Sequence, residues 1–525
     1  MTTTSLKSPG TATQDVPAPA GDYYITTALP YVNAAPHLGH ALELVQADTL
    51  ARHRRLRGQS VRFLTGTDDN ALKNVTAAAT AGVSVADFVA ANADAFAQLR
   101  RTLSLSVDDF ISTSSDPRHL RGVELLWRRS ERAGDFYRKS YTGLYCPGCE
   151  GFFTESDLTD GLCGEHRRPL EPVSETNWFF RLSRYGEAIE QAITSGRLRI
   201  EPAVRANEVL GFLRSGVDDI SVSRPATRSG GWGIPVPGDD SQVVYVWWDA
   251  LANYVTALLD TSGASLDESA GLRRWWTDSA ERVHVLGKGI TRFHAVYWIG
   301  LLLSARLQLP TRILVHDYLT VDGLKVSKSA GNSVDIPGLV AHAGTDAVRW
   351  WLLSGVNRVG DTAFTTARLR ERYNEDLANG IGNLTSRVAG LLVKFRARSI
   401  PSPEEHPTRR ADPPSLVAGL SERIDAALAR FDFRAATAAL TDTVEAANRL
   451  IETERPWQLY RAESAGDTEA GRRLDSLLSQ LVPTCRAVAL ELGPFVPDGA
   501  DRLAAVLAGT SVSPTVSPVF ARLQP

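Results

Sequence analysis

Two histidines three residues apart, His37 and His40, sit in the stretch ITTALPYVNAAPHLGHAL that runs from Ile25 to Leu42. The run before them, YYITT, reads as a short strand that breaks at Pro30, and the run after them, ALELVQADTLARHRRLRG, as a helix. The pair therefore falls at a strand-to-helix switch, where α/β proteins place ligands. Pro36 suits a first helical turn, because its missing N–H is not needed there. Residues i and i+3 share one helix face, and a helix start offers free N–H groups and partial positive charge that attract phosphate. Gly39 carries no side chain, so a flat base could lie against the backbone. Two imidazoles could then donate to phosphate oxygens as charge builds in a transition state. On these residues alone, the competing reading is a helix that happens to contain two histidines.

A second constellation is DGLKVSKSAGNSVD. Lys325 and Lys328 are again i and i+3, flanked by Ser327 and Ser329 and lying between Gly323 and Gly331. A flexible loop with two ammoniums and two hydroxyls is a mobile clamp for a polyphosphate. Most basic residues of this chain are arginine, and that scarcity of lysine weakens the reading as an ordinary solvated loop. A third constellation is Cys146-Pro-Gly-Cys149 followed by Cys163-Gly-Glu-His166. C-x2-C with C-x2-H supplies four ligands of zinc type, two from each of two turns, and a closed four-ligand site implies a structural Zn2+. Three of the 4 cysteines fall here; Cys485, alone on a helix, reads as a core residue.

The elements that must position these residues follow a clear rhythm. From Asp22 to about Ser112 strands and helices alternate, which implies a parallel sheet. From about Phe136 to Gly238 the alternation is lost among cysteines, glycines and short turns, so an inserted module is expected. The α/β rhythm resumes with VVYVWWDALANYVTALL and RILVHDYLTV, and from about Thr366 apolar residues recur at helical spacing. The resulting divisions are a disordered tail at 1–21, catalytic halves at 22–135 and 241–312, an insertion at 136–240, a connecting segment at 313–365 and a helical domain at 366–525. The Pro-rich stretch SIPSPEEHPTRRADPPS reads as a loop within the last of these. At 525 residues several domains are expected. A net charge of -3 gives no global sign of a nucleic-acid partner, so any such surface must be local. No apolar run reaches the roughly 18 residues of a membrane span, the N-terminus lacks an apolar signal core, and the cysteines do not form a disulfide framework. A cytoplasmic chain with reduced thiols is expected.

HLGH after the first strand and KVSKS late in an α/β domain resemble the paired motifs of class I aminoacyl-tRNA synthetases. ALPYVNAAPHLGHAL, LYCPGCEGFFTESDL, TNWFFRLSRY, VVYVWWDALANYVTAL, RFHAVYWIGLLL and VHDYLTVDGLKVSKSAGN resemble the methionyl-tRNA synthetase family in sequence and in order. The resemblance covers nearly the whole chain from Asp22. It implies a Rossmann-like domain split by a connective insertion with a one-zinc knuckle, a stem-contact segment and a helical anticodon-binding bundle. It also implies ATP- and Mg2+-dependent formation of an aminoacyl-adenylate, then transfer to the 3′ end of a tRNA. His37, Gly39, His40 and Gly287 would serve the ATP, with Lys325 and the more critical Lys328 on the pyrophosphate. Leu29 and Tyr31 match ALPY, and Asp68 matches the carboxylate that meets the substrate ammonium. Trp247, Ala250, Leu251 and Tyr254 match VWxDA, while Phe293, His294 and Trp298 match RFHxxxW. An apolar aromatic pocket with one histidine suits a thioether, because sulfur packs favourably against rings. Asn383 and Arg387 in NLTSR and Trp457 in ERPWQLY sit where the family reads a CAU anticodon, two by hydrogen bonds and one by stacking. A monomer is expected, since no oligomerisation module follows the helical region, and the insertion looks too short for an editing domain.

Three departures from the family pattern stand out. GTDEHG reads GTDDNA, with Asp69, Asn70 and Ala71; GKD reads GKG, with Gly289 where an aspartate would meet the ribose; KMSKS reads KVSKS, with Val326. Losing a charged hydrogen bond costs roughly 1.5–3 kcal/mol, or about 10- to 100-fold, and water or Asp69 could compensate in part for Gly289. The changes lie beside the substrate pocket while zinc and anticodon positions are kept. They leave open a specialised paralog, either inhibitor-tolerant or biosynthetic. They are also compatible with a tRNA-binding protein that has lost activation, or with an enzyme that charges an acceptor different from tRNA.

Overall fold

The computed structural model describes residues 21–146, 151–153, 158–164, 167–260, 265–321, 324–325, 334–401, 416–512 and 518–524. Cys149, His166 and Lys328, most of the N-terminal tail and most of the Pro-rich stretch lie outside the described residues.

Tyr23–Thr27 forms β1, and all five of its residues are buried, as a strand covered on both faces requires. It is joined by β2 (Val61–Thr67), β3 (Asp109–Ser112), β4 (Arg199–Glu201), β5 (Glu281–Gly287) and β6 (Arg312–His316) in one sheet of order β3-β2-β1-β5-β6-β4. Every pairing in it is parallel. The chain runs outward from β1 to β3 on one side and from β5 to β6 on the other, so the order reverses between β1 and β5. The C-terminal ends of those two strands define a crevice at that switch point.

Five helices matter for the site. They are α1 (Leu38–Leu56), α2 (Pro117–Arg132), α3 (Val246–Thr256), α4 (Asn383–Phe395) and α5 (Phe433–Glu454). Side chains on one face of the sheet pack with α1 and the helical C-terminal region; those on the other pack with α2 and α3. From Thr366 onward the described chain is helical apart from short connections and its final segment. The helical region is fastened to α1 by polar contacts: His53 hydrogen-bonds Asp425 at 2.7 Å, and Arg57 forms ion pairs with Asp425 and Glu491, both at 2.8 Å. Arg349, fully buried, pairs with Asp48 of α1 at 2.8 Å and donates to the carbonyls of Leu103, Pro494 and Phe495.

The irregular stretch after α2 opens into a long antiparallel pair, Phe136–Cys146 with Glu171–Phe180, in register from Phe136 opposite Phe180 to Tyr145 opposite Glu171. The span 136–240 is nevertheless not wholly an insertion. β4 lies inside it and forms the edge of the parallel sheet, between helices Gly186–Thr194 and Ala203–Arg214. Three strand residues are too few to show a period, so this return to the sheet leaves no pattern in the sequence.

Candidate functional site

The crevice at the switch point begins with the HLGH turn. His37 is the N-cap residue of α1 and its Nδ1 accepts from the Gly39 N–H at 3.2 Å, while His40 Nδ1 accepts from the His37 N–H, also at 3.2 Å. The two imidazoles thus form a reciprocal capping box, in the place of the usual Ser and Glu. Their rings stack with centroids 3.7 Å apart and planes 11° from parallel. Because each Nδ1 is used as an acceptor, each proton sits on Nε2, the nitrogen turned away from the backbone. Burial holds His40 well below the ordinary imidazole value, helped by His37 and His316 nearby. His40 is therefore a neutral Nε2–H donor at a helix start, with the His37 ring stacked on it.

Opposite, β5 ends at Gly287, and Gly289 follows in the turn Lys288–Ile290. Lys288 is engaged by Asp361 at 2.5 Å and Asp317 at 3.6 Å. The missing aspartate at 289 is not replaced by Asp69, contrary to the expectation from sequence. The Asp69 carboxylate is committed to Ser112 and to the N–H and Oγ of Ser114, at 3.2 and 2.9 Å for the latter pair. Those bonds all fall on Oδ2 and hold the buried side chain against the loop after β3. The carboxyl that does lie in the crevice is Glu43, one turn beyond His40 on α1, where burial raises its pKa. Its Oε2 lies in hydrogen-bond contact with His316 Nε2 at 3.1 Å, while the other ring nitrogen donates to the Asp317 carbonyl. Lys325 pairs its backbone opposite Thr320, a few residues beyond the end of β6 in the chain, in a small separate sheet.

The side-chain pocket is built from three segments. Tyr31 bridges to Asp68 at the end of β2, where the Asp68 N–H donates to the Pro30 carbonyl at 2.9 Å. The α3 residues Trp247, Ala250, Leu251 and Tyr254 recur at i, i+3, i+4 and i+7 and so share one face. The π-helical turn Phe293–Tyr297 supplies the third wall, a distortion that often marks a functional site. Phe293 stacks on Trp247 at 3.8 Å and 6°, Tyr31 meets the same indole edge-on at 6.0 Å, and Leu29 packs against this group. His294 donates from Nδ1 to the Ile290 carbonyl at 2.9 Å and accepts the Tyr254 hydroxyl at 2.7 Å on Nε2. Burial pushes its pKa down to about 4, so the ring that faces the pocket is neutral.

Behind these lie Trp298, expected from RFHxxxW and fully buried here, and two residues that motif reading passes over, His284 and Lys73. Trp298 donates its indole N–H to His284 Nε2 at 3.1 Å, and His284 Nδ1 reaches Thr26 Oγ1 at 2.7 Å. This buried chain supports Tyr254, whose ring lies 4.1 Å from that of His284. His284 sits in the apolar strand HVLG with no spacing partner, so sequence offered no signal for it. Lys73 places its ammonium 4.0 Å from the Tyr31 ring centroid, and its rarity in the chain was a usable signal.

At the far end, exposed Asn383 and half-buried Arg387 are i and i+4 on α4. Arg387 reaches Glu452 at 2.5 Å and Asn448 at 3.4 Å on the last turns of α5. α5 ends at Arg455 in a left-handed conformation, and half-buried Trp457 opens the next helix. In the insertion, Cys146 ends one strand and Cys163 another, both buried. Two shielded thiols at strand ends suit a structural metal, and with Cys149 and His166 the donor set fits Zn2+.

Residues 23–169 and 166–389 match the family model for tRNA synthetases class I (M), which together with the crevice and its helix-start histidines defines a class I aminoacyl-tRNA synthetase. The methionine–tRNA ligase of Mycobacterium tuberculosis (strain CDC 1551 / Oshkosh) is 38% identical over 513 residues, 96% of this chain and 95% of the relative. That of Rhizobium meliloti (strain 1021) is 38% identical over 489 residues, 92% of this chain and 90% of the relative. The solved structure of the M. tuberculosis methionyl-tRNA synthetase in complex with methionyl-adenylate has a TM-score of 0.88 at 36% identity, covering 96% of this chain and 100% of that one. The chain belongs to the methionyl-tRNA synthetase family and is an enzyme, a methionine–tRNA ligase of class I. Among the described residues no single helix is long and apolar enough to cross a membrane.

Proposed function

We propose that the crevice activates methionine with ATP to methionyl-adenylate and that the chain then transfers the methionyl group to the 3′ end of a methionine tRNA with a CAU anticodon. The observation that carries this reading is the pair of stacked imidazoles that cap the start of α1, beside an aromatic pocket whose histidine is neutral. The methionine carboxylate attacks the α-phosphate in line and pyrophosphate leaves. Little covalent chemistry is asked of the protein, so orientation and charge neutralisation dominate. Asp68 holds the ammonium, and Trp247, Phe293, Tyr254 and His294 enclose the thioether. His37 and His40 donate Nε2–H to phosphate oxygens, the Gly39 and Gly287 backbones leave room for the adenosine, and Lys325 and Lys328 draw off the pyrophosphate. Mg2+ would accompany the ATP and supply charge neutralisation on its phosphates. Zn2+ would be held by Cys146, Cys149, Cys163 and His166 and would order the insertion. Asn383, Arg387 and Trp457 read the anticodon. We take the enzyme to act as a cytoplasmic monomer.

A protein that only binds tRNA would have no use for the capping box or the enclosed aromatic pocket, and both are intact. The test is amino-acid-dependent ATP–pyrophosphate exchange across the natural amino acids, followed by tRNA charging. Exchange with methionine supports the reading; exchange with another amino acid alone, or none, overturns it.

A further inference from the structure

Two of the residues that depart from the family pattern, Asp69 and Asn70, are hydrogen-bonded through their side chains, and Asn70 ties together two halves of the amino-acid site. α3 presents Trp247, Ala250, Leu251 and Tyr254 to the pocket, and Asp249 and Thr256, seven residues apart, away from it. Asp249 is completely buried. Its Oδ2 accepts from Asn70 Nδ2 at 2.7 Å and its Oδ1 meets His119 Nε2 at 2.5 Å. His119 Nδ1 in turn reaches Thr256 Oγ1 at 2.8 Å, so one imidazole from α2 grips α3 at two points two turns apart. α2 can come this near because residue 122 is glycine; a Cβ there would lie 2.3 Å from Thr256 Cγ2.

Asn70 links this clamped helix to the loop that carries Asp68. That loop is itself fixed. Asn74 Nδ2 donates to the carbonyls of Asp68 and Asp69 at 3.2 and 2.8 Å, the Trp232 indole donates to the Asp69 carbonyl at 2.9 Å, and the Asp69 carboxylate is bound by Ser112 and Ser114. A change at Asn70 is therefore felt as a change in where α3 stands relative to Asp68.

We propose that Asn70, acting through Asp249, is a specificity-determining positioning residue: it sets the spacing between the Asp68 anchor for the substrate ammonium and the apolar pocket on α3, and so the length of side chain accepted. The inference rests on the methionine-activating reading. An amide suits the task because it is a neutral donor to a buried carboxylate; an aspartate would place two carboxylates together, and a longer side chain would hold α3 further off. In a fitted pocket one methylene is worth about 10- to 200-fold, and a spacing error of a few tenths of an ångström forfeits part of that.

The experiment compares Asn70→Ala and Asn70→Gln with the parent full-length chain in ATP–pyrophosphate exchange. The amino acids are methionine, ethionine (one methylene longer) and S-methylcysteine (one shorter). In Asn70→Ala the KM for methionine should rise about tenfold, as expected for a lost bond to a buried charge, with the KM for ATP unchanged. Its preference for methionine over ethionine should fall by a similar factor. Asn70→Gln keeps the donor on a longer arm, so it should keep affinity but shift preference toward ethionine; it carries the test should Asn70→Ala fold poorly. Parental preference ratios in the variants, or a rise in KM for ATP and every amino acid together, would overturn the proposal. A parent without methionine-dependent exchange would instead overturn the reading on which it rests.

Discussion

Gly39→Ala separates the catalytic use of the HLGH turn from its structural use. A Cβ on residue 39 would sit 3.0 Å from His37 Cε1 and 3.1 Å from its Nδ1. Non-bonded carbon atoms settle at about 3.5–4.0 Å, so the ring has to retreat by roughly half an ångström. The Gly39 N–H to Nδ1 contact, already 3.2 Å, would then pass the limit of a hydrogen bond, and the stack on His40 would open. Losing a helix N-cap costs about 1 kcal/mol. Replacing glycine by alanine inside a helix returns about 0.5–1 kcal/mol, so the net change in stability is close to zero. Catalysis has no such compensation, because misplacing one preorganised donor to a developing charge costs about 100- to 1,000-fold in kcat. The expected outcome is a fall of about two orders of magnitude in the rate of methionine-dependent ATP–pyrophosphate exchange. The thermal midpoint should stay within about 2 °C of the parent, given the size of the chain. An exchange rate within about threefold of the parent would refute the argument that His37 is placed by the bare backbone at Gly39. So would a collapse in thermal stability large enough to account for the lost rate.

Four other expectations follow from the same contacts. His294 is held down at about 4 from an ordinary 6.5, so the folded state resists its protonation. Stability is whole above pH 6.5 and is lost as pH falls from there toward 4. That difference corresponds to about 3 kcal/mol. In denaturant titrations at several pH values, His294→Gln should show a shallower acid loss than the parent, and an identical loss would count against the assignment. Arg387→Ala should leave ATP–pyrophosphate exchange intact and lower tRNA charging about tenfold or more, the worth of a base-reading contact; equal losses in both assays would contradict an anticodon role. Arg349→Met leaves the buried Asp48 carboxylate to Arg52 and Ser106 alone and strips three carbonyls of their donor, and should cost about 3–5 kcal/mol in unfolding experiments, whereas a loss below about 1 kcal/mol would show the pair to be replaceable. Cys163→Ser should lower bound zinc from one ion per chain toward none by elemental analysis, and should expose the insertion to limited proteolysis. Unchanged metal content would remove Cys163 from the ligand set.

How far the sequence could be read depended on how local each signal was. The HLGH turn was legible because strand, proline, histidines and helix follow one another within a few residues, and the capping box joins atoms only two or three residues apart. The α/β class with a helical C-terminal region was legible because periodicity is a local property. β4 was not, since a three-residue strand has no period and its place at the sheet edge is decided by its pairing with β6. The role of Asp69 was misread for a related reason. Type and position made it a candidate to replace the carboxylate missing at Gly289, but direction is set by Ser112 and Ser114, more than forty residues away. The same holds with greater force for Asn70. Read as a motif position, it is a lost histidine and suggests weakened function. Read in the fold, its amide reaches Asp249 across 179 residues of sequence and completes a chain with His119 and Thr256. A substitution that decayed by chance would be expected to leave Asp249 with an unmet buried oxygen, which costs about 1–3 kcal/mol. Here the oxygen is met by an amide at 2.7 Å. The departure is better described as a change of coupling between α3 and the Asp68 loop than as erosion of the site, and that is why its consequence is sought in amino-acid preference and not in overall rate.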